Sequence, residues 1–329
     1  MLLDIKDRKI LHELGDNARI SCSALAKKIR LSREVTKYRL KRLTDEKYIK
    51  WFTIVIDTAR IGYNTYQFYI QLEKTTEKKE EEIIDFLRED KRVNYLCVIS
   101  GNWDIMCECY ARNPQELFEF MSSIRSKFSS NIKKIDSTTI IKECICINKN
   151  VIIEEKMKYS HIEHNRFMNN NMELDAKEKA ILFHLSNNCR MMYVDIADRI
   201  GASVDYVKYK IMQMTDDGLI ASFKPIYDFT KLGFQQYIIL YQLEASYEET
   251  MRLISYLKIR PNIVYVMQSI GKWDLSIVIN VRNPDEFRKV LIEIRNDFTN
   301  IIKEETSLLM HEELKNNYLP PSCYPAAPK

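Results

Sequence analysis

A short segment near the amino terminus gathers side chains that are suited to contacting a nucleic acid. Residues 32–47 carry six basic and three acidic side chains, a net charge of +3, while the whole chain has a formal net charge of only +4. Because phosphate neutralisation supplies most sequence-independent affinity for DNA, the placement of charge is more informative than its total. On a helix, five residues at i, i+1, i+4, i+5 and i+8 can form one exposed stripe that faces base edges in a major groove: Arg33, Glu34, Lys37, Tyr38 and Lys41.

Two neighbouring residues have predicted roles beside this stripe. Ser32 can contact a phosphate or cap the helix, and capping is the more usual role of such a serine. Arg39 is expected to contact the DNA backbone or to form an internal ion pair, rather than to contact a base. The predicted DNA-binding set is therefore Ser32 together with the stripe.

Two Gly-x-Trp-Asp sequences offer a second kind of site. Gly101 and Gly271 suit tight turns that need a positive φ. Asp104 and Asp274 can accept hydrogen bonds from the amino group of a small ligand, or can instead cap the backbone amides of a hairpin. The sequence leaves both interpretations open.

Side chains for catalysis are sparse. None of the five histidines falls within 93–111 or 263–281, the segments around the Gly-x-Trp-Asp sequences. His161 and His164 lie in a polar stretch and are expected to be solvated. The sequence has no phosphate loop and no Ser, His and Asp set. We therefore predict no enzyme activity, no catalytic residue, no cofactor and no metal.

The eight cysteines are expected to be buried thiols in a reducing cytoplasm, because no Cys-x-x-Cys pair occurs. Cys97 and Cys107 can face each other across a predicted hairpin, whereas Cys144 and Cys146 belong to a strand away from it. No run of about 18 apolar residues is present and no leader sequence is recognised, so we predict a cytoplasmic protein without a membrane partner.

The chain repeats itself. Leu3-Asp4 through Ile10-Leu11 recurs as Leu174-Asp175 through Ile181-Leu182, a shift of 171 residues. Gly101-Asn102-Trp103-Asp104 recurs as Gly271-Lys272-Trp273-Asp274, a shift of 170. A period this long indicates duplicated domains rather than a solenoid.

The second copy of the basic segment is acidic. Residues 203–218 carry two basic and three acidic side chains, a net charge of −1. Lys208 and Tyr209 correspond to Lys37 and Tyr38 and are predicted to be weaker DNA contacts, although they can also be inherited without function.

Within each copy, three short amphipathic helices precede a strand and then a β-α-β-β-α-β order. This arrangement, with Gly-x-Trp-Asp between the middle strands, resembles the Lrp/AsnC family of feast/famine transcription regulators. Its most specific signs are Leu3-Asp4 with Asp7 and Ile10-Leu11, the stretch from Leu31-Ser32 to Leu43 with Arg39 and Leu40, and the two Gly-x-Trp-Asp sequences. One departure is Val35-Thr36, where family members usually carry Thr-Val, so the inward-facing residue stays open.

The resemblance implies pairing through the sheet domains, further assembly, and an amino acid or related effector near the Gly-x-x-Asp loops. The predicted effector-binding residues are Gly101, Asp104, Gly271 and Asp274. Fusion of two copies should let them pair within one chain as a pseudo-dimer, since a linker of about 25 residues raises the effective concentration to the millimolar range.

The predicted fold class is α+β, with two copies of a winged-type helix-turn-helix plus a ferredoxin-like βαββαβ domain. The predicted partners are double-stranded DNA, a small-molecule effector and the protein itself, as pseudo-dimer and homo-oligomer. The predicted ranges are 1–50 for the first helix-turn-helix domain, 51–147 for the first ferredoxin-like domain, 148–173 for a linker, 174–220 for a weak or degenerate second helix-turn-helix domain, 221–314 for the second ferredoxin-like domain and 315–329 for a loose tail.

The predicted function is sequence-specific DNA binding in transcription regulation. Two alternatives of other classes remain. One is an enzyme like the sirohaem decarboxylases, which share this architecture and rely on histidines near the middle hairpin. The other is a protein–protein regulator without DNA binding, which the acidic second segment fits for one half of the chain only.

Overall fold

Two helix-turn-helix units begin the two halves of the chain. The computed structural model describes residues 3–147, 160–165 and 172–325. Asp4 and Asp175 each form a capping box that starts the first helix of a unit, which satisfies free backbone N–H groups there. The helices are α1 (Ile5–Asp16), α2 (Cys22–Ile29) and α3 (Arg33–Asp45) in the first unit, and α6 (Ala176–Asn187), α7 (Tyr193–Ile200) and α8 (Val204–Asp216) in the second.

The strand that follows each unit pairs with its counterpart. Strand β1 (Ile49–Ile56) runs antiparallel to β7 (Ile220–Tyr227), and they form a two-stranded ribbon between the units. Buried apolar residues of both units, including Leu11 and Leu182, belong to one continuous core. The predicted boundaries at 50/51 and 220/221 cut through these strands, because each strand pairs with the other copy and not with its own sheet domain.

Both sheet domains have the predicted β-α-β-β-α-β order. The first contains β2 (Asn64–Leu72), α4 (Glu77–Glu89), β3 (Val93–Ser100), β4 (Ile105–Ala111), α5 (Pro114–Phe128) and β5 (Ile132–Ile147). The second contains β8 (Gln235–Leu243), α9 (Tyr247–Lys258), β9 (Ile263–Gly271), β10 (Leu275–Val281), α10 (Pro284–Phe298) and β11 (Ile302–Asn316).

The two domains join into one closed sheet. The strand order is β2-β4-β3-β11-β8-β10-β9-β5, and β5 also pairs with β2. The last strand of each copy connects the copies: β5 pairs with β2 through 132–140 and with β9 through 138–145, while β11 pairs with β8 through 302–310 and with β3 through 309–316. The two copies therefore pair within one chain, and the closed sheet leaves few free edges.

Two predicted irregular segments contain structure. Within the predicted linker, Ser160–Asn165 forms strand β6, which pairs with the end of β5; residues 148–159 and 166–171 lie outside the described residues. The prediction of a loose tail was wrong for its described part. Tyr318, Leu319 and Cys323 are buried, and the short 3₁₀ helix Pro321–Cys323 packs near α6, because these apolar side chains complete the core of the helix-turn-helix layer.

None of the described helices combines the length and the apolar character needed to cross a membrane.

Candidate DNA-binding and effector sites

Helix α3 presents the predicted stripe to solvent. Ser32 Oγ accepts a hydrogen bond from Val35 N at 3.2 Å, so its side chain caps the helix. Thr36, Leu40 and Leu43 face inward, and Thr36 is fully buried, whereas Val35 is 41% exposed. The inward position left open by the sequence is therefore occupied by Thr36.

The predicted stripe is exposed along its length. It consists of Arg33, Glu34, Lys37, Tyr38 and Lys41. Lys41 Nζ lies 2.5 Å from Asp45 Oδ2 in an exposed pair of the kind that contributes little to stability. Arg33 and Lys37 have no ion-pair partner within the described residues, so their charges are available to a ligand.

The other two arginines of α3 hold the helix against α1. Arg39 Nη1 contacts Asp4 Oδ2 at 2.7 Å and Asp7 Oδ1 at 2.9 Å, and Arg42 Nη2 contacts Asp7 Oδ2 at 2.5 Å. The Asp7 carboxylate is only 1% exposed and needs both cations as compensation. Arg39 thus forms an internal ion pair, one of the two roles that the sequence predicted for it.

Helix α8 keeps an equivalent ion pair with the first helix of its unit, but its exposed face is less basic. Lys210 Nζ contacts Glu178 Oε1 at 2.8 Å, at positions equivalent to Arg39 and Asp7. Lys208 is exposed and lies 3.8 Å from Asp205. Tyr209 and Met212 are also exposed on this helix, at 55% and 58%. At the positions of Arg33 and Lys41 the second unit therefore carries Val204 and Met212, whereas Lys208 and Tyr209 keep the residue types of Lys37 and Tyr38.

Two arginines join the units reciprocally. Arg19 Nη1 donates to Met191 O at 3.0 Å and also to Cys189 O, while Arg190 Nη1 donates to Ala18 O. Each guanidinium also covers an aromatic ring of the other copy, Tyr193 for Arg19 and Phe52 for Arg190. Arg19 and Arg190 occupy equivalent positions of the repeat, 171 residues apart.

The Gly-x-Trp-Asp hairpins contact the opposite copy. Gly101 has a φ of 135°, and an added Cβ would lie 2.9 Å from Leu308 Cδ2 of β11. Gly271 has a φ of 138°, and an added Cβ would lie 2.8 Å from Ser137 O of β5. Glycine is required at both turns by the backbone conformation and by the close approach of the other copy's last strand.

The two aspartates close the hairpin ends. Asp104 Oδ2 accepts from Leu72 N, and Asp274 Oδ2 accepts from Leu243 N, each at 2.7 Å. Each carboxylate thus accepts a backbone N–H at the end of a neighbouring strand, β2 or β8, and not one of its own hairpin, as the capping interpretation expected. Effector binding by these loops stays a prediction.

The cysteines and histidines do not assemble a reactive centre in the described part of the chain. All eight cysteines are free thiols. The expectation that Cys97 faces Cys107 was wrong: Cys97 pairs with Met106, and Cys107 points to the other side of the sheet beside Leu96. Burial raises the pKa of the Cys107 thiol, which makes it a poor nucleophile. No group of three potential metal ligands occurs among the described residues.

A partly open cavity was not predicted from the sequence. It has a volume of about 130 Å³ and lies where α1 and β7 meet the closed sheet. Its ionisable lining includes Glu108, Glu143, Glu313 and Lys224. Because one helix and nine strands contribute to its wall, no local pattern in the sequence indicates it.

Paired helix-turn-helix units beside a closed sheet of two ferredoxin-like halves place the chain among proteins built from DNA-binding helix-turn-helix units and paired sheet domains. The family described as "Winged helix-turn-helix DNA-binding" matches residues 3–50 and 174–221. The chain belongs to the Lrp/AsnC family of transcription regulators, as a tandem duplication of the family's module.

Its relatives include an uncharacterized HTH-type transcriptional regulator of Pyrococcus furiosus, 32% identical over 117 residues, which are 35% of this chain and 78% of that protein. The HTH-type transcriptional regulator LrpA of Pyrococcus horikoshii is 29% identical over 148 residues, 45% of this chain and 99% of that protein. Each covers less than half of this chain, which is what a single-copy relative of a duplicated chain gives.

Among solved structures, the siroheme decarboxylase NirDL matches with a TM-score of 0.63 and covers 94% of this chain and 92% of its own. The two sequences are only 12% identical. The likeness therefore concerns the fold of the two copies together and not the activity.

Proposed function

We propose that this transcription regulator binds a specific DNA sequence mainly through its first helix-turn-helix unit, and that the second unit contributes weakly. The observation that carries the proposal is the exposed stripe on α3, where Arg33 and Lys37 are free to approach a duplex. On α8, Val204 and Met212 occupy the positions equivalent to Arg33 and Lys41, and Lys208 is the one cation of the stripe that is kept. Base edges and phosphates in a major groove require donors and cations, which favours the first unit.

The proposed contacts in the first unit have different roles. Arg33, Glu34, Lys37, Tyr38 and Lys41 face the groove, and Ser32 supports them by capping α3. Lys208 and Tyr209 make the weaker contacts of the second unit. Because only one strong unit is present per chain, two chains that associate would present a symmetric pair to a palindromic operator. Homo-oligomerisation of the chain is therefore part of the proposal.

We further propose that an amino acid or a related small molecule modulates DNA binding, with Gly101, Asp104, Gly271 and Asp274 bordering its site. One oxygen of each aspartate accepts from the end of β2 or β8, so the ligand would meet the other oxygen and the turn backbone. We propose that the protein acts without catalysing a reaction. We also place it in the reducing cytoplasm, and its free cysteines support this location.

The fold likeness to NirDL keeps a sirohaem-decarboxylase-like activity as the second candidate. The segments 93–111 and 263–281, which form the middle hairpins, contain no histidine to serve that reaction. An absorbance scan of the purified protein mixed with a tetrapyrrole separates the two classes. A bound spectrum together with decarboxylated product would replace the regulator proposal.

The direct test is selection of binding sites from random duplexes, followed by affinity measurements over a range of salt concentrations. We expect an enriched sequence and a logarithm of affinity that falls linearly with the logarithm of salt. No salt-sensitive affinity for any duplex would overturn the proposal.

A further inference from the structure

Two cysteines near the end of β5 form a dithiol that DNA binding does not use. Cys144 and Cys146 are separated by one residue, so their side chains lie on the same face of the strand. They are 2% and 6% exposed and belong to the core of the second sheet domain, with Leu253 and Leu257 of α9. A hydrogen bond from the Cys146 thiol lowers the pKa of the Cys144 thiol. The two sulfur atoms therefore lie close enough to bind one ion together.

The charged residues around this dithiol carry an excess of positive charge. Glu163 of β6 lies directly opposite Cys144 in the register of the two strands. Its carboxylate contacts Lys142 Nζ of β5 and Lys258 Nζ of α9, each at 2.5 Å. Two ammonium groups and one carboxylate give this ion-pair cluster a net charge of +1. A positive charge beside a thiol favours the thiolate, which is the form that binds metals.

The second Cys-x-Cys pair of the chain has different surroundings. Cys107 and Cys109 also share one strand face, but they lie opposite Phe68 and Tyr66 of β2. Burial raises the pKa of both thiols, and the nearby carboxylate of Asp90 raises it further. Their strand, β4, lies between β2 and β3 inside the sheet. This pair is therefore a matched control within the same chain.

Strand β6 gives an ion a route to Cys144 and Cys146. It is six residues long, it is the last strand in the order of the sheet, and within the described residues it pairs with β5 alone. Segments with few contacts open locally at a low cost in free energy, without unfolding of the domain. Separation of β6 from β5 exposes the thiols, and its return shields a bound ion from water.

The type and number of ligands select the ion. Thiolates are soft ligands that favour Cu⁺ and Zn²⁺. A structural zinc site needs four ligands, whereas the part of the chain that the structure describes holds no group of three potential metal ligands. Cu⁺ is stable with two thiolates in a nearly linear arrangement. The resulting complex has a charge of −1, which matches the net charge of +1 on the ion-pair cluster.

We propose that Cys144 and Cys146 bind one Cu⁺ ion per chain, although no metal was predicted from the sequence. Each thiol releases its proton to solvent as its sulfur bonds to the ion, and no electron is transferred. Lys142 and Lys258 stabilise the anionic complex, and Glu163 holds β6 beside it. This site does not depend on the proposed DNA binding.

The test is an anaerobic titration of the full chain with Cu⁺, in competition with the chromogenic chelator bicinchoninate. We expect the wild-type chain to withdraw one equivalent of Cu⁺ from the chelator. X-ray absorption spectroscopy of the complex should show two sulfur ligands at copper. Failure to withdraw Cu⁺, or a shell of three or more sulfur atoms, would overturn the proposal, and neither measurement needs a variant.

Matched variants locate the ion. Cys144→Ala should lower the affinity for Cu⁺ by at least about 100-fold, since loss of a ligand costs more than loss of an outer-shell partner, which costs about 10- to 100-fold. Cys107→Ala on β4, and Cys22→Ala at a cysteine that is not buried, should leave the affinity unchanged. Circular dichroism verifies that the variants fold. Wild-type affinity in folded Cys144→Ala, or its loss in either control, would place the ion elsewhere and overturn the proposal.

Discussion

The indole rings of Trp103 and Trp273 meet edge to face inside the closed sheet, with centroids 5.9 Å apart and an interplanar angle of 82°. Each ring comes from the Gly-x-Trp-Asp hairpin of one copy, and the two rings are 3% and 1% exposed. Lys272 Nζ lies 5.0 Å and 4.8 Å from their centroids and pairs with Asp136 at 2.9 Å. The repeated tryptophan therefore joins the two copies.

Removal of one of these indole side chains should destabilise the whole chain. Trp103→Ala is expected to lower the free energy of unfolding by about 3–5 kcal/mol, because it removes a buried aromatic side chain and leaves a cavity. A double-mutant cycle with Trp273→Ala should give a coupling of about 0.5–1.5 kcal/mol. Denaturant unfolding measures both. Tyr247→Ala, at a residue that is 71% exposed, is the control, and a similar loss there would contradict the prediction.

The two recognition helices should respond differently to loss of an equivalent lysine. Lys37→Ala is expected to weaken operator binding and to reduce the salt slope by about 1, the contribution of one phosphate contact. Lys208→Ala should have a smaller effect, since α8 presents fewer cations. Fluorescence anisotropy at several salt concentrations measures the slope, and equal losses would reverse the ranking of the two units.

The reciprocal arginines should fix the spacing of the helix-turn-helix units. Arg19→Ala removes the donor to Cys189 O and Met191 O, which should lower the free energy of unfolding by about 1–3 kcal/mol. It should also weaken operator binding, although Arg19 is not in the predicted DNA-binding set. Arg288→Ala, at an exposed position on α10, is the control. Unchanged stability and affinity would show that the cross-links are dispensable.

Strand β6 should detach from β5 at low pH. Hydrogen bonds from Lys142 and Lys258, both at 2.5 Å, lower the pKa of Glu163 from 4.5 to about 2. The folded form thus holds the proton less tightly, so this contribution is complete above about pH 4.5 and is lost as the pH falls towards 2. Because solvent screens these ion pairs, we expect the loss of protection to be confined to β6 and not to unfold the whole chain.

Amide hydrogen-exchange protection factors of β6 measure this release. Protection in the wild-type chain should fall across that interval, while Glu163→Gln should show low protection at every pH. A variant with full protection at neutral pH would remove Glu163 from this role.

Local spacing in the sequence was enough to predict the repeat, the three-helix units, the β-α-β-β-α-β order and the exposure of the stripe on α3. These features depend on side chains close together along the chain, where helical and strand periods decide which face is buried. The same reasoning left Asp104 and Asp274 between capping and ligand binding, because one residue type suits both roles.

Only the tertiary structure decided that β1 pairs with β7, that β5 and β11 each connect the two copies, and that Tyr318 and Leu319 complete a core. It also brought Arg19 and Arg190 into contact with the opposite unit, and it placed Glu108, Glu143 and Glu313 along the wall of one cavity. Such contacts join residues far apart in sequence. Their energies depend on the register and packing of the entire chain, which no local pattern contains.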